Sequence, residues 1–327
     1  MKRALTVLAA AASVLALSAC GSGSPSGAGS APAPSAGAGG NLTKITVGVI
    51  PIVDTAPIWL GESKGFFKEE GLDLDIQTAT GGAAIVPGVV SGSFDFAFSN
   101  LVSVMVAKDK GLDLKFVANG ASSTGDTKKD IGAVVVPADS DIKSPKDLAG
   151  KKVSVNNLSN IGDTTISSVV EADGGDPKSV DFVEVAFPDA PAALENKQVD
   201  AAWILEPFLS SAVEKGARVI TYNFADFDPE LDIAGYFTTG DTVANDPALV
   251  EKFTKAMNKS LEYAQDNPQE VRDIVGTYTK IDAATRDKMT LPRYRAEFNK
   301  AAATKLGEAA AKYGTLSQTP NLDQLLP

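Results

Sequence analysis

The stretch Ile45–Gln77, ITVGVIPIVDTAPIWLGESKGFFKEEGLDLDIQ, carries the pattern from which the fold is read. Ile45, Val47 and Val49 alternate with Thr46 and Gly48, the period-two pattern of a strand, until Pro51 and Asp54 end the run. Pro57 suits a first helical turn, where its missing N–H is one that finds no partner anyway. Gly65 breaks that helix, Phe66 and Phe67 anchor its end, and Gly71 launches Leu72, Leu74 and Ile76 along one strand face. Strand, helix and strand read as a parallel βαβ unit, whose loop after the first strand borders a ligand crevice.

Towards the N-terminus, Lys2 and Arg3 precede an uncharged apolar run, Ala4 to Leu17, too short to span a membrane. It ends in Leu17-Ser18-Ala19-Cys20-Gly21, which resembles the lipobox of bacterial lipoproteins. The resemblance implies cleavage before Cys20 and lipid attachment to that residue; an ordinary secretion signal with a cysteine at its cleavage site is the alternative. Residues 21–40 contain only Gly, Ser, Ala and Pro and read as a flexible tether, with a reach of roughly 25 Å.

The chain has 327 residues, a net charge of −11, one cysteine and no histidine. An acidic chain without a basic run is a poor binder of nucleic acid or anionic lipid. The missing histidine and the lone Cys20 exclude thiol chemistry in the fold, Cys/His zinc sites and a Ser-His-Asp arrangement. There is no phosphate-binding G-x-x-x-x-G-K-[ST] loop, so ATP hydrolysis by this chain is not expected.

Beyond the first unit the pattern continues as α/β. Gly81 to Val90 reads as a helix, Phe94 to Phe98 as a strand into Ser99-Asn100, and Leu101 to Lys110 as a helix apolar nearly all round, hence buried. Leu112 to Phe116 reads as a strand, and NGASSTGDTKKD (119–130) has loop composition. A second set follows, with strands at Ala133–Val136, Val153–Val155, Phe182–Val185, Val199–Leu205 and Ala217–Tyr222 and helices between them. Gly235–Thr239 reads as a strand returning to the first lobe. The last ninety or so residues read as helical, with Asp246-Pro247, Asn267-Pro268-Gln269-Glu270 and Asp282 as start signals.

Four motifs in order carry a family resemblance: Ala56-Pro57-Ile58-Trp59 with Lys64-Gly65-Phe66-Phe67-Lys68-Glu69-Glu70-Gly71-Leu72, then Ser91-Gly92-Ser93-Phe94-Asp95-Phe96-Ala97. Asp147-Leu148-Ala149-Gly150-Lys151-Lys152 and Val199-Asp200-Ala201-Ala202 with Glu206-Pro207-Phe208 complete the set. Over about residues 43–280 the chain resembles the solute-binding proteins of ABC importers for sulfonates, nitrate and thiamine-pyrimidine precursors. The resemblance implies a two-lobed type II periplasmic-binding-protein fold of class α/β, each lobe a mostly parallel sheet flanked by helices, with two crossover strands as hinge. The boundaries that follow are 1–19 for the signal peptide, 20–42 for the lipidated Cys20 and tether, 43–130 plus 237–327 for lobe I, and 131–236 for lobe II. It also implies a monomer that closes on a small-molecule solute, held at the extracytoplasmic face of the cell membrane by its lipid alone, with permease and ATPase as separate chains. No cofactor, metal or catalytic residue is expected. Family enzymes that make the thiamine pyrimidine use histidine and cysteine, which this chain lacks beyond Cys20.

The ligand contacts that the resemblance implies fall at Asp54, Thr55, Ala56, Ser99, Asn100, Asn156, Asn160, Asp163, Thr164, Phe187 and Glu206. The residues themselves leave choices open. Asp54 and Thr55 suit either a cleft contact or a cap for the helix at Pro57. Trp59 suits stacking on a planar ligand or core packing; Trp203 reads as packing or hinge. Ser99 and Asn100 sit where a strand meets a helix N-terminus, where exposed N–H groups favour acceptors. Asp163 suits a cap or a ligand donor's partner, and Glu206, not a preferred cap residue, suits a contact. These loops hold no Lys or Arg but do hold Asp54, Asp163, Asp189 and Glu206, with Lys128 and Lys129 near the mouth. That census points to a ligand bearing hydrogen-bond donors or a positive centre, such as an aminopyrimidine or a zwitterionic aminosulfonate. Two other readings remain at this point: a solute-sensing lipoprotein, and a hydrolase using Asp163 and Glu206 as a carboxylate pair.

Overall fold

The computed structural model describes residues 42–327; the apolar leader, Cys20 and nearly all of the small-residue tether lie outside the described residues. Among the described residues ten strands form, the first five being β1 (Thr43–Val49), β2 (Leu72–Thr78), β3 (Phe96–Asn100), β4 (Leu114–Ser122) and β5 (Gly132–Val136). The others are β6 (Lys152–Val155), β7 (Asp181–Glu184), β8 (Ala201–Leu205), β9 (Arg218–Thr221) and β10 (Asp232–Thr239). They build two five-stranded sheets, ordered β2-β1-β3-β10-β4 and β7-β6-β8-β5-β9. Each sheet holds one reversed strand: β10 is antiparallel to β3 and β4, and β5 is antiparallel to β8 and β9. The chain therefore leaves the first sheet after β4 and returns to it at β10.

Local chemistry explains the opening unit. Gly65 takes a left-handed φ of 81° and ends the helix Ala56–Lys64. Gly71, at φ 78°, turns the chain into β2, which pairs in parallel with β1 from Thr43↔Leu72 to Val49↔Thr78. The apolar helix Leu101–Asp109 is buried against the first sheet. The long helix Pro247–Asp266 starts on Asp246, whose carboxylate accepts from Leu249 N–H, and buries Phe253, Met257 and Leu261. Phe253 stacks on Phe96 of β3 at 4.0 Å between centroids.

Two local expectations fail. Residues 119–122 belong to β4, not to a loop: Asn119 donates to Asp232 and to the Glu297 carbonyl, and a Cβ on Gly120 would lie 2.7 Å from Phe98. Polar, loop-like side chains are thus consumed in the ladder that β4, the edge strand, forms with β10. The box at Asn267 does not form either, because its amide donates to Tyr263 O and Glu270 is drawn off to Tyr263 and Lys64.

Candidate functional site

A small cavity lies between the two sheets. Ile50, Ile52, Asp54, Phe98, Asn100 and the β10 residues Ile233 and Ala234 line it from the first, and Asn156, Ile161, Phe187, Trp203, Leu205 and Phe224 from the second. Its volume is about 20 Å³, room for about one water, so the two halves are closed on each other.

The turn after β1 delivers Asp54. Thr55 Oγ1 donates to the Ile50 and Ile52 carbonyls at 2.8 and 3.1 Å. Two tyrosines from the C-terminal region hold the same turn: Tyr278 donates to Ile52 O (3.0 Å) and Tyr294 to Val53 O (2.8 Å). Asp54 itself is 1 % exposed, and neither of its carboxylate oxygens has a hydrogen-bond partner. Burial pushes its pKa up to about 7; its own backbone N–H, near but outside hydrogen-bond geometry, opposes the rise and the nearby Asp130 adds to it. No Lys or Arg lines the cavity. An unpaired, buried acceptor is costly unless a partner supplies donors.

At the other wall, two helix N-termini meet. Asn100 caps the helix Leu101–Asp109 by accepting from Ser103 N–H at 2.9 Å. Asn160 caps the helix Ile161–Ala172, and Asp163 closes the box by accepting from Asn160 N–H at 2.7 Å and Ser159 N–H at 2.5 Å. Burial still raises the Asp163 pKa to about 6 against those backbone donors. Between the helices, Ser103 Oγ donates to Asn160 Oδ1 (3.1 Å) and accepts from Asn160 Nδ2 (3.0 Å). At each of these helix starts the cap thus takes one N–H that could otherwise attract an anion, that of Ser103 and that of Ile161.

The expected contacts divide accordingly. Asp54, Asn100, Asn156 and Phe187 line the cavity; the others do not. Thr55 is spent on the turn, and Ala56 is buried in the core. Trp59 stacks on Tyr278 at 4.9 Å, away from the cavity. Ser99 alternates to the opposite face of β3 from Phe98 and Asn100, where its hydroxyl lies against Gly82. Asn160 and Asp163 are caps, and Thr164 Oγ1 donates back to Asn160 O at 2.8 Å. Glu206 accepts from Ser210 N–H, Ser210 Oγ and Thr290 N–H at 3.0, 2.9 and 3.0 Å, and burial raises its pKa against these bonds. With Asp163 in a cap and Glu206 in this bracket, neither carboxylate lines the cavity as the paired-acid reading requires. Among the described residues, no group of three or more acidic, His or Cys side chains is arranged to hold a metal.

Trp203, expected as packing or hinge, packs edge-on between Phe187 and Phe224. It lines the cavity, is 1 % exposed and has an indole N–H without a partner. The signal was available in β8, where Trp203 and Leu205 share one strand face at the end that leads into the helix Phe208–Glu214.

The family model described as NMT1/THI5 like matches residues 52–271. Among curated proteins, the formylaminopyrimidine-binding protein of Halalkalibacterium halodurans is 25 % identical over 225 residues, 67 % of this chain and 65 % of that one. A 4-amino-5-hydroxymethyl-2-methylpyrimidine phosphate synthase of Saccharomyces cerevisiae, THI11, is 23 % identical over 65 % of this chain and 64 % of its own length. The chain thus spans about two thirds of the length of these relatives. Among solved structures, the periplasmic nitrate-binding protein NrtA from Synechocystis PCC 6803 superposes with a TM-score of 0.75 at 14 % identity, covering 87 % of this chain and 86 % of that one. At that identity the likeness is one of fold.

Proposed function

The chain belongs to the NMT1/THI5-like family, and from that premise we propose that it is the solute-binding component of an ABC-type importer, taking a small planar solute that bears hydrogen-bond donors. One observation carries the ligand class: Asp54 is buried in the inter-sheet cavity with both carboxylate oxygens unpaired and no basic side chain beside it. A bare anion entering there meets the unpaired Asp54 carboxylate, no basic side chain, and two helix starts at each of which a cap already takes one N–H. An amine or amino-heterocycle instead supplies what Asp54 lacks, and the aromatic walls Phe98, Phe187, Trp203 and Phe224 favour a flat one. An aminopyrimidine satisfies both demands, and the similarity to a formylaminopyrimidine-binding protein supports that class. Titration calorimetry against 4-aminopyrimidine, taurine and nitrate tests it. Saturable one-to-one binding of the aminopyrimidine is expected; tight nitrate binding with none of the amine overturns the reading.

The same proposal places the domain outside the cytoplasmic membrane, tethered by lipid on Cys20, handing solute to separate permease and ATPase chains. Its support is the lipobox pattern followed by the uncharged small-residue stretch. Replacement Cys20→Ser is expected to abolish incorporation of labelled palmitate into the protein and release it from the membrane fraction. Retention with undiminished labelling would refute the anchor.

A further inference from the structure

Resting on the ligand class proposed above, we infer that Trp203 is a specificity-determining residue whose indole N–H donates to an acceptor atom on the ligand, beside the donor that Asp54 takes. The ring is fixed by its surroundings. Phe187 and Phe224 meet it edge-on, at 5.3 and 5.6 Å between centroids and interplanar angles of 67° and 88°. Its six-membered edge rests on Gly162: a Cβ there would lie 2.6 Å from Cε3 and 2.7 Å from Cζ3. The pyrrole edge that carries Nε1 is on the other side of the indole from those atoms. That N–H is buried and unpartnered in a residue lining the cavity. An indole N–H can only donate, and leaving it unmade in a buried site costs about 1–3 kcal/mol, so a bound solute that supplies an acceptor gains selectivity over one that does not.

Asp54 and Trp203 line one cavity of about 20 Å³ from opposite sheets. A ligand touching both needs a donor and an acceptor close together on one rigid frame. An amino group next to a ring nitrogen has that arrangement; an amine on a carbocycle has only half of it. The pair is therefore a two-sided code, with Asp54 reading the donor and Trp203 the neighbouring acceptor. Because the two residues come from different sheets, the code is complete only when the halves are closed.

The test compares 4-aminopyrimidine with aniline, which keeps the amino group and the ring but has no ring nitrogen. The native protein is expected to prefer 4-aminopyrimidine by roughly tenfold or more. In Trp203→Phe, which keeps an aromatic wall and removes the N–H, that preference collapses to less than about threefold. An undiminished preference in the variant overturns the inference. A second measurement needs no change at Trp203: the chain has two tryptophans, so its 15N-labelled indole region holds two N–H signals, assigned with Trp59→Phe. Saturation with 4-aminopyrimidine is expected to move the Trp203 signal downfield and leave that of Trp59 in place. Binding without movement of the Trp203 signal sinks the inference while the ligand class stands; absence of binding by either amine fails the ligand class itself.

Discussion

Asp54 is a carboxylate that the fold neither pairs nor exposes, and its acidity follows from that. Its pKa rises from 3.8 to about 7 because burial disfavours the charged form. Below pH 4 the group is neutral in both folded and unfolded chains. Between about pH 4 and 7 the unfolded chain gives up this proton and the native one holds it, so stability falls as pH rises and then levels off. At 1.36 kcal/mol per unit the penalty approaches roughly 4 kcal/mol above pH 7. Ligand-free protein is expected to melt at a lower temperature at pH 8 than at pH 5, and Asp54→Asn to reduce that slope, leaving the smaller share of Asp163, whose raised pKa acts in the same direction. A slope unchanged in Asp54→Asn contradicts the assignment. Ligand donors favour the ionised form, so affinity for 4-aminopyrimidine is expected to rise from pH 6 to 8, and Asp54→Asn to weaken it about ten- to hundredfold by calorimetry. The sequence showed Asp54 and Asn100 because both lie at strand-to-helix loops, the positions from which an α/β fold addresses a ligand. It did not show that Trp203, besides packing, lines the cavity, because that depends on which strand face meets the cleft across two sheets.

At the scale of single elements, the strands and helices were legible wherever local chemistry decides them. Alternating apolar residues made β1 and β3, and left-handed glycines ended the helices they follow. What failed were decisions taken by distant partners: β4 through Asn119 and Gly120, held by β10, and Glu270, captured by Tyr263 and Lys64. Asp163 shows the same division in one residue. As a sequence it suited cap or contact equally; in the structure its two oxygens face the N–H groups of Ser159 and Asn160. Asp163→Ala is expected to cost about 1 kcal/mol of stability, a drop of about 2 °C in melting temperature. Affinity measured by calorimetry is expected to stay within about twofold, since a cap lost at the start of one helix leaves the cavity wall in place. A tenfold loss of affinity with unchanged melting would restore Asp163 as a ligand contact.

At the scale of the whole molecule, the C-terminal region joins the two halves in a way no local pattern could announce. It is anchored on the side of the first sheet: Ser317 donates to Asp109 through N–H and Oγ at 2.9 and 2.6 Å, and Tyr294 holds the turn beside Asp54. Its outer residues reach the helices of the second sheet. Glu171 receives Tyr313 Oη at 2.6 Å and pairs with Lys312, and Thr164 meets Thr315 at 3.3 Å. On another helix, Glu214 receives Thr285 Oγ1 and Lys288 Nζ, both at 2.6 Å. A solute cannot enter a cavity of about 20 Å³ without the halves separating, and separation about the two crossings breaks these contacts. On the proposed function they weight the balance between open and closed forms while touching no ligand. Exposed pairs of this kind are individually weak and screened by salt. The double variant Glu171→Gln and Glu214→Gln is expected to raise the dissociation rate of bound solute about threefold or more in stopped-flow measurements, with the association rate nearly unchanged. Added salt is expected to speed release from the native protein and much less from the variant, because screening removes what the substitutions have already removed. Equal release rates in both proteins at low salt would show that the C-terminal contacts stay intact when the cleft opens, and that the region moves with the second sheet instead.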